Sequence, residues 1–170
     1  MADTAPIEMR DAADWNAAGL ANWHGPVAGY PNRQPPWPPS AFRKFSRVMR
    51  ISVQTEAHWA QHCREIDVES GAAAPTDIPP FIHAREAAGH ADGGAYFSLA
   101  NWPDVSAALL AADIAPHRIR LRIADWTGKP RRIVLDAGGL KWTAWAHQFE
   151  NVPDLGIDRS MIWGAQDFTR

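Results

Sequence analysis

Short apolar runs alternate with helix-like stretches along the first two thirds of the chain. Runs of β-branched, aromatic and other apolar side chains predict five strands, which cover Ile7–Ala12, Gly25–Tyr30, Val48–Val53, Arg64–Glu69 and Ala95–Ser98. The segments between and after these strands predict short helices, over Ala13–Asn22, Ser40–Phe45, Glu56–His62, Pro80–Ala88 and Pro103–Ala112. Strands and helices that alternate at this spacing indicate a parallel sheet that is closed or nearly closed.

The pattern changes after about residue 117, where strands follow one another without room for a long helix. Four more apolar runs predict strands, at Arg118–Ala124, Arg131–Asp136, Thr143–Phe149 and Ile157–Trp163. Residues 125–130 predict the turn of an antiparallel pair. We therefore expect an α/β fold, a compact TIM-like (β/α) barrel with helices covering the first five strands and hairpins or short loops joining the late ones. An open doubly wound sheet is the alternative, although no Gly-rich phosphate loop follows any strand.

Arginine and aliphatic residues alternate in the segment 118–124. Ile119, Leu121 and Ile123 share one face of this strand, which we predict to point inward. The arginines share the opposite face, which we predict to be solvated because no helix is expected to cover this strand. An anion-binding stripe is the alternative function of that face.

Composition and charge narrow the class of protein. The 170 residues fit one domain that spans residues 1–170, since single domains extend to about 250 residues. The formal net charge of −2 gives no bulk attraction to nucleic acid or to anionic lipid. No apolar run is long enough to span a membrane, and the first residues lack the pattern of a signal peptide. The single cysteine, Cys63, excludes an internal disulfide and a cysteine-rich zinc site.

A pair of acidic residues ends the fourth predicted strand. Asp67 and Glu69 are two residues apart, so both side chains point to the same side, with Cα atoms about 6.6 Å apart. Barrel enzymes keep their catalytic groups at this end of their strands. Close carboxylates cannot both ionise freely, so one is expected to have a raised pKa, as protonation of a glycosidic oxygen requires. The alternative is that both are strand-end caps or surface acids.

Other acidic residues are expected near the same mouth. Asp11 ends the first strand, and Asp125 follows the apolar face of segment 118–124, whereas Asp158 lies nearer the start of its strand. Glu65 shares the face of Asp67 at a deeper level. A carboxylate there is costly unless a bulge moves it out of the interior or a buried arginine pairs with it.

Aromatic residues flank a loop in which five of ten residues, Pro31–Ser40, are proline. Proline fixes φ and lacks an N–H donor, so we predict a stiff, extended loop. Tyr30 and Trp37 flank its prolines, and Tyr96 and Trp126 lie at or just past strand ends. Aromatic rings at a barrel mouth can stack on sugars, whereas core packing and loop anchoring are the alternative.

Metal and nucleophile signatures are weak in this sequence. His58 and His62 lie one helical turn apart, but they lack a convincing third ligand for zinc. Neither Cys63 nor the seven histidines show the pattern of a nucleophilic site. We therefore expect no metal site.

Five motifs together resemble the glycoside hydrolase family 25 lysozymes and their relatives in actinobacteria and their phages. The strand 66–69, Ile-Asp-Val-Glu, looks like the Asp-x-Glu strand of that family, and 9–11, Met-Arg-Asp, looks like its first strand. Residues 95–103 are similar to its tyrosine–serine strand and Trp-Pro helix start. Residues 122–128 are similar to a Trp-x-Ala-x-Tyr strand, with Arg122 in place of the first Trp. His147-Gln148-Phe149 and Ile157-Asp158 resemble the closing pair, so the order agrees from about residue 7 to residue 168.

The resemblance implies a retaining muramidase, which cleaves the β-1,4 bond after N-acetylmuramic acid in peptidoglycan. Glu69 would be the general acid, and Asp67 would orient the acetamido group of the substrate or stabilise charge. Asp11 would assist, and Asp158 would complete the acidic pocket. Further substrate contacts would come from the remaining candidate residues, Asp125, Tyr96, Trp126, Tyr30, Trp37 and Gln148. No cofactor or metal is implied.

Three functional hypotheses follow. The first is a lysozyme-like hydrolase of peptidoglycan or another glycan, such as a phage or actinobacterial lysin. The second is a catalytically silent barrel that binds glycan or forms part of a larger assembly, such as a virion or phage tail. The third is a small α/β protein of unrelated function. The absent signal pattern fits a cytoplasmic protein, a virion component or a lysin released by holin-type lysis.

Overall fold

Eight strands close into a barrel in a computed structural model that describes residues 5–54 and 56–163. The first six strands are β1 (Ile7–Asp11), β2 (Val27–Gly29), β3 (Val48–Ser52), β4 (Glu65–Val68), β5 (Gly94–Ser98) and β6 (Arg120–Ala124). A small hairpin outside the barrel follows, made of β7 (Val134–Ala137) and β8 (Leu140–Thr143). The barrel is completed by β9 (Ala146–Val152) and β10 (Ile157–Ile162). The chain therefore has a mixed α/β fold with a closed eight-stranded barrel. A closed barrel was predicted, but the helices expected over the first five strands cover it only in part.

The strand order shows why the late part of the chain differs from the early part. Strands β1 to β6 pair in parallel, and β9 adds in parallel to β6. Strand β10 then runs antiparallel to both β9 and β1 and closes the barrel. The start of β10 therefore lies at the same end of the barrel as the carboxyl ends of the parallel strands.

Helices cover the outside of the barrel unevenly. The helices are α1 (Pro39–Lys44), α2 (Ala57–His62), α3 (Ile78–Ala87) and α4 (Trp102–Ala111). Between β1 and β2 only a three-residue 3₁₀ turn, Ala18–Leu20, forms, so the helix predicted over Ala13–Asn22 was wrong. Glycine at position 19 brings this turn so close to β10 that a Cβ would lie 2.7 Å from Ile157. Within the described ranges, no helix is both long and apolar enough to cross a membrane.

The residues that pack between the strands and the helices show which face of each strand points outward. Ile66 and Val68 of β4 pack with α3 and α4, and so do Leu121 and Ile123 of β6. The prediction that the apolar face of segment 118–124 points inward was therefore wrong. The outer faces of the parallel strands must be apolar because helices cover them, and Arg122 instead lies fully buried inside the barrel.

The hairpin of β7 and β8 corrects another expectation. β6 pairs with β5 and β9, not with the segment that follows the 125–130 turn. Trp142 of β8 is 1% exposed and belongs to the outer core. Its ring makes an edge contact with Trp102 of α4, with centroids 5.7 Å apart. The hairpin thus takes the place of a helix over this part of the barrel.

Replacement of the anchoring tryptophan tests this packing. We expect Trp142→Ala to lower the free energy of unfolding by about 3–5 kcal/mol, because it leaves a cavity between the hairpin and α4. Leu140→Ala is the matched control on the same strand, since Leu140 is 42% exposed. It should cost less than about 1 kcal/mol. Urea unfolding followed by circular dichroism measures both, and equal losses would contradict the anchoring role of Trp142.

Candidate functional site

Four acidic side chains meet at the end of the barrel where the parallel strands finish. Asp11 ends β1, and Asp67 lies in β4 with Glu69 just beyond it. Asp158 is opposite Asp11 in the register of β10 and β1. The antiparallel direction of β10 therefore brings to the mouth an acid that lies near the start of its strand. We call Asp11, Asp67, Glu69 and Asp158 the acidic cluster.

A buried arginine forms the floor beneath this cluster. Arg122 Nε donates to Glu65 Oε2 at 2.9 Å, and its Nη1 donates to Asp11 Oδ1 at 3.1 Å. The guanidinium also lies 4.2 Å from the ring centroid of Tyr96. Gln148 Nε2 donates to the other oxygen of Asp11 at 3.1 Å. Arg122 is thus the buried partner that Glu65 needs, and it also fixes the position of Asp11.

Burial raises the pKa of two carboxyls of the cluster. Burial, together with the nearby charge of Glu69, raises the pKa of Asp67 to about 7, against the lowering effect of Arg122. Burial likewise raises the pKa of Asp11 to about 7, although Arg122 opposes this effect. The pKa of Asp158 is also raised, mainly by burial. The expectation that one acid of the Asp67–Glu69 pair has a raised pKa is therefore met at Asp67.

A cavity of about 340 Å³ opens beside the acidic cluster. Asp67 and Glu69 line it on one side, and Asn32, Arg33 and Gln34 of the proline-rich loop line it on another. Asp67 is 4% exposed, and its Oδ1 has no hydrogen-bond partner among the described residues. Glu69, in contrast, is exposed. The cavity thus brings a buried carboxyl next to a second carboxyl that solvent reaches.

Hydrogen bonds hold the proline-rich loop against this cavity. Asn32 Nδ2 donates to Ser52 Oγ at 2.7 Å, and Val53 N donates to Asn32 Oδ1 at 3.1 Å. Arg33 follows directly and makes no ion pair with another described residue, although its charge acts on Asp67 and Asp158. The sequence pattern singled out neither Asn32 nor Arg33, because their roles depend on how the loop folds back.

The predicted aromatic contacts separate into three groups. Tyr30 and Tyr96 are buried at the mouth, where burial raises the pKa of both hydroxyls, so both remain O–H donors. Trp37 was misplaced, because it is buried and its Nε1 donates to the carbonyls of Ala12 and Ala13. Trp126 is 52% exposed just past the end of β6. Of the two predicted tryptophans, only Trp126 has a face that is open to a ligand.

Two of the other predicted contacts also differ from expectation. The carboxylate of Asp125 pairs with Arg131 instead of joining the acidic cluster. This follows from the reversed facing of β6, because the inward residues are Arg122 and Ala124 and the next side chain points outward. Gln148 is fully buried and holds Asp11, so it is not a surface for a substrate.

The histidines show no metal site. The rings of His58 and His62 have centroids 4.8 Å apart on α2. Among the described residues, no group of three or more histidine, cysteine or acidic side chains is arranged to hold a metal ion.

The raised pKa of Asp67 predicts a pH-dependent stability. A carboxyl with a raised pKa in the folded protein stabilises the fold below its ordinary pKa of 3.8, and this stabilisation is lost as the pH rises through about 7. We expect Asp67→Asn to remove this loss. The free energy of unfolding of the variant, relative to that of the wild type, should therefore rise by about 2–4 kcal/mol from about pH 4 to about pH 8. Urea unfolding at the two pH values measures the difference.

Asp136→Asn is the control for that measurement, because Asp136 is an exposed residue of β7. Its stability should follow the wild type at both pH values. If Asp67→Asn loses stability as steeply as the wild type, Asp67 is not the titrating group.

Comparisons with known proteins bear on the fold. No protein-family model matches the sequence, and no curated protein matches it. The structure is similar to the crystal structure of an uncharacterized protein from B. stearothermophilus, with a TM-score of 0.60 and 15% sequence identity. The match covers 92% of this chain and 95% of that chain. At this identity, the likeness shows that the two chains share a fold.

Proposed function

We propose that the protein is a lysozyme-like glycoside hydrolase that acts on the glycan strands of peptidoglycan. The observation that carries this proposal is the pair at the end of β4: Asp67, buried with a pKa of about 7, beside the exposed Glu69 in one cavity. Glycoside hydrolysis uses two carboxyl groups that differ in environment and in task. The order of motifs along the chain supports the same reaction through its resemblance to family 25 lysozymes.

In this proposal the two carboxyls have different tasks. Glu69 donates a proton to the glycosidic oxygen, because it is the member of the pair that a bound glycan can reach. Asp67 is neutral up to about pH 7 and in that form can donate one hydrogen bond. Its acceptor is the acetamido oxygen of the substrate, which positions the sugar for cleavage.

The other residues of the mouth complete the site. Asp158 stabilises positive charge that develops on the sugar, and Asp11 assists from its position between Arg122 and Gln148. Trp126, exposed beyond β6, stacks on a sugar ring. The barrel itself is proposed as a trimmed TIM-like barrel, in which a hairpin and a reversed last strand replace the late helices. Such an enzyme would serve as a phage or actinobacterial lysin.

Release of reducing ends from purified peptidoglycan tests the proposal. We expect wild-type protein to release them and Glu69→Gln to be slower by at least about a hundredfold, because the amide cannot donate the proton. Glu86→Gln is the matched control, since Glu86 lies on α3 and pairs with Arg118. Its activity should equal that of the wild type. Absence of release by folded wild-type protein, from actinobacterial and other walls, would contradict the proposed activity.

The pH dependence of the reaction tests the role of Asp67. Because Asp67 must stay neutral to donate its hydrogen bond, we expect kcat/KM to fall as the pH rises through about 7. Asp67→Asn keeps an N–H donor at every pH, so it should lose this alkaline decline and stay within about tenfold of the wild type. Asp67→Leu should lose about a hundredfold or more. If kcat/KM of Asp67→Asn still falls as the pH rises through about 7, the decline belongs to the titration of another group.

A glycan-binding or structural barrel without catalysis is the second candidate. It is favoured by Arg122, which engages Asp11 in a buried ion pair instead of leaving it free for chemistry. Such a module would retain peptidoglycan in a pull-down without releasing reducing ends. Binding that is unchanged in Glu69→Gln would then support a binding function, as in a virion or tail component.

A further inference from the structure

A second cavity lies on the outer side of the barrel, between the proline-rich loop, α1 and α2. Its volume is about 650 Å³, and its apolar walls include Pro31, Trp37, Phe42 and Trp59. Trp37 and Phe42 are buried and pack with ring centroids 5.3 Å apart. These rings and prolines form a rigid apolar surface that the reaction proposed at the mouth does not use. We call this cavity the apolar groove.

A cationic pocket adjoins the apolar groove. Arg50 and His62 line both cavities. The pocket has a volume of about 240 Å³ and is also lined by Arg64, Arg85 and Asp92. Its three guanidinium groups and one carboxylate leave a formal charge of two positive. Apolar and cationic surfaces therefore meet at Arg50 and His62.

The deeper part of the cationic pocket is fixed before any ligand arrives. Arg85 Nη1 donates to the carbonyl oxygen of Ala60 at 2.9 Å and also contacts that of Cys63. Asp92 accepts from Arg85 at 2.5 Å and from Arg64 at 2.6 Å. One carboxylate thus bonds to two guanidinium groups and holds this part of the pocket in place.

Arg50 is the group that is available to a ligand. It is exposed, and its guanidinium lies 4.9 Å from the ring centroid of Phe42 in the groove wall. It makes no ion pair with another described residue. A guanidinium that lies over an aromatic ring keeps its N–H groups free at its edges. An oxyanion can therefore accept hydrogen bonds from two of these N–H groups.

We propose that the apolar groove and the cationic pocket form one binding site for a small amphipathic anion. The apolar or aromatic body of this ligand lies on Trp59 and on the prolines of the loop, Pro36, Pro38 and Pro39, and its anionic head, such as a phosphate, contacts Arg50 beside His62. A neutral apolar molecule leaves the cationic pocket without an anion, and free phosphate leaves the groove empty. The site therefore selects ligands that carry both parts.

Isothermal titration of the full chain with octyl phosphate tests the site. Octan-1-ol is the control without the charged head, and inorganic phosphate is the control without the apolar body. We expect octyl phosphate to bind at least about tenfold more tightly than either control, because one charge-assisted contact is enough for that factor. Equal binding of octan-1-ol and octyl phosphate, or no binding of octyl phosphate, would overturn the proposal.

Two variants link the binding to the residues named. Arg50→Gln should weaken the binding of octyl phosphate by about tenfold and leave the binding of octan-1-ol unchanged. Trp59→Leu should weaken the binding of both. Arg47→Gln is the matched control, since Arg47 is an exposed arginine shortly before Arg50 that lines neither cavity. Equal weakening by Arg47→Gln and Arg50→Gln would show general charge attraction and would overturn the site.

Anionic lipid carries the same chemistry as a free amphiphile. We assign the site to the free form, because a groove and an adjoining pocket enclose single molecules better than a flat bilayer surface. The protein should therefore stay in the supernatant when vesicles of phosphatidylglycerol are sedimented. If the wild-type protein sediments with the vesicles and Arg50→Gln does not, the site binds a membrane surface and this assignment is overturned.

Discussion

The arrangement of the barrel mouth depends on one buried cation. Arg122 is enclosed between Glu65 of β4 and Asp11 of β1, so it joins three strands that are distant in sequence. Removing one member of such a buried pair typically costs about 3–5 kcal/mol, because the remaining charge is left without a partner. The guanidinium therefore fixes the relative positions of the strands that carry the acidic cluster.

Burial outweighs attraction at this mouth. Arg122 lowers the pKa of both Asp11 and Asp67, yet both end at about 7 because their carboxylates are shielded from water. The two acids differ in what surrounds them. Asp11 has both oxygens engaged, by Arg122 and Gln148, whereas Asp67 has an oxygen without a partner. An acid of the first kind supports the structure, and an acid of the second kind is suited to meet a ligand.

The sequence predicted the strands and the acid pair well, because those depend on local patterns. Alternation within β4 placed Asp67 and Glu69 on one face, and the same alternation showed that Glu65 needed either a bulge or a buried partner. Which face of β6 points inward could not be predicted from its own residues. An arginine is stable inside a barrel only when acids pair with it, and here those acids lie 57 and 111 positions away in the sequence. The predicted position of Asp125 and the predicted pairing of β6 with the segment after residue 130 were wrong because both depend on contacts that are distant in sequence. Asp158 reached the mouth through the reversed direction of β10, which no local signal encodes.

Strand β10 also determines where the chain can be extended. Ile7 of β1 is paired with Ile162 of β10, at the opposite end of these strands from the pairing of Asp11 with Asp158. The start of β1 and the end of β10 thus both lie at the end of the barrel that faces away from the acidic cluster. A tether attached through either strand would leave the cavity open to a large polymer. The barrel could then be displayed on a surface or fused within another protein with its mouth pointing outward.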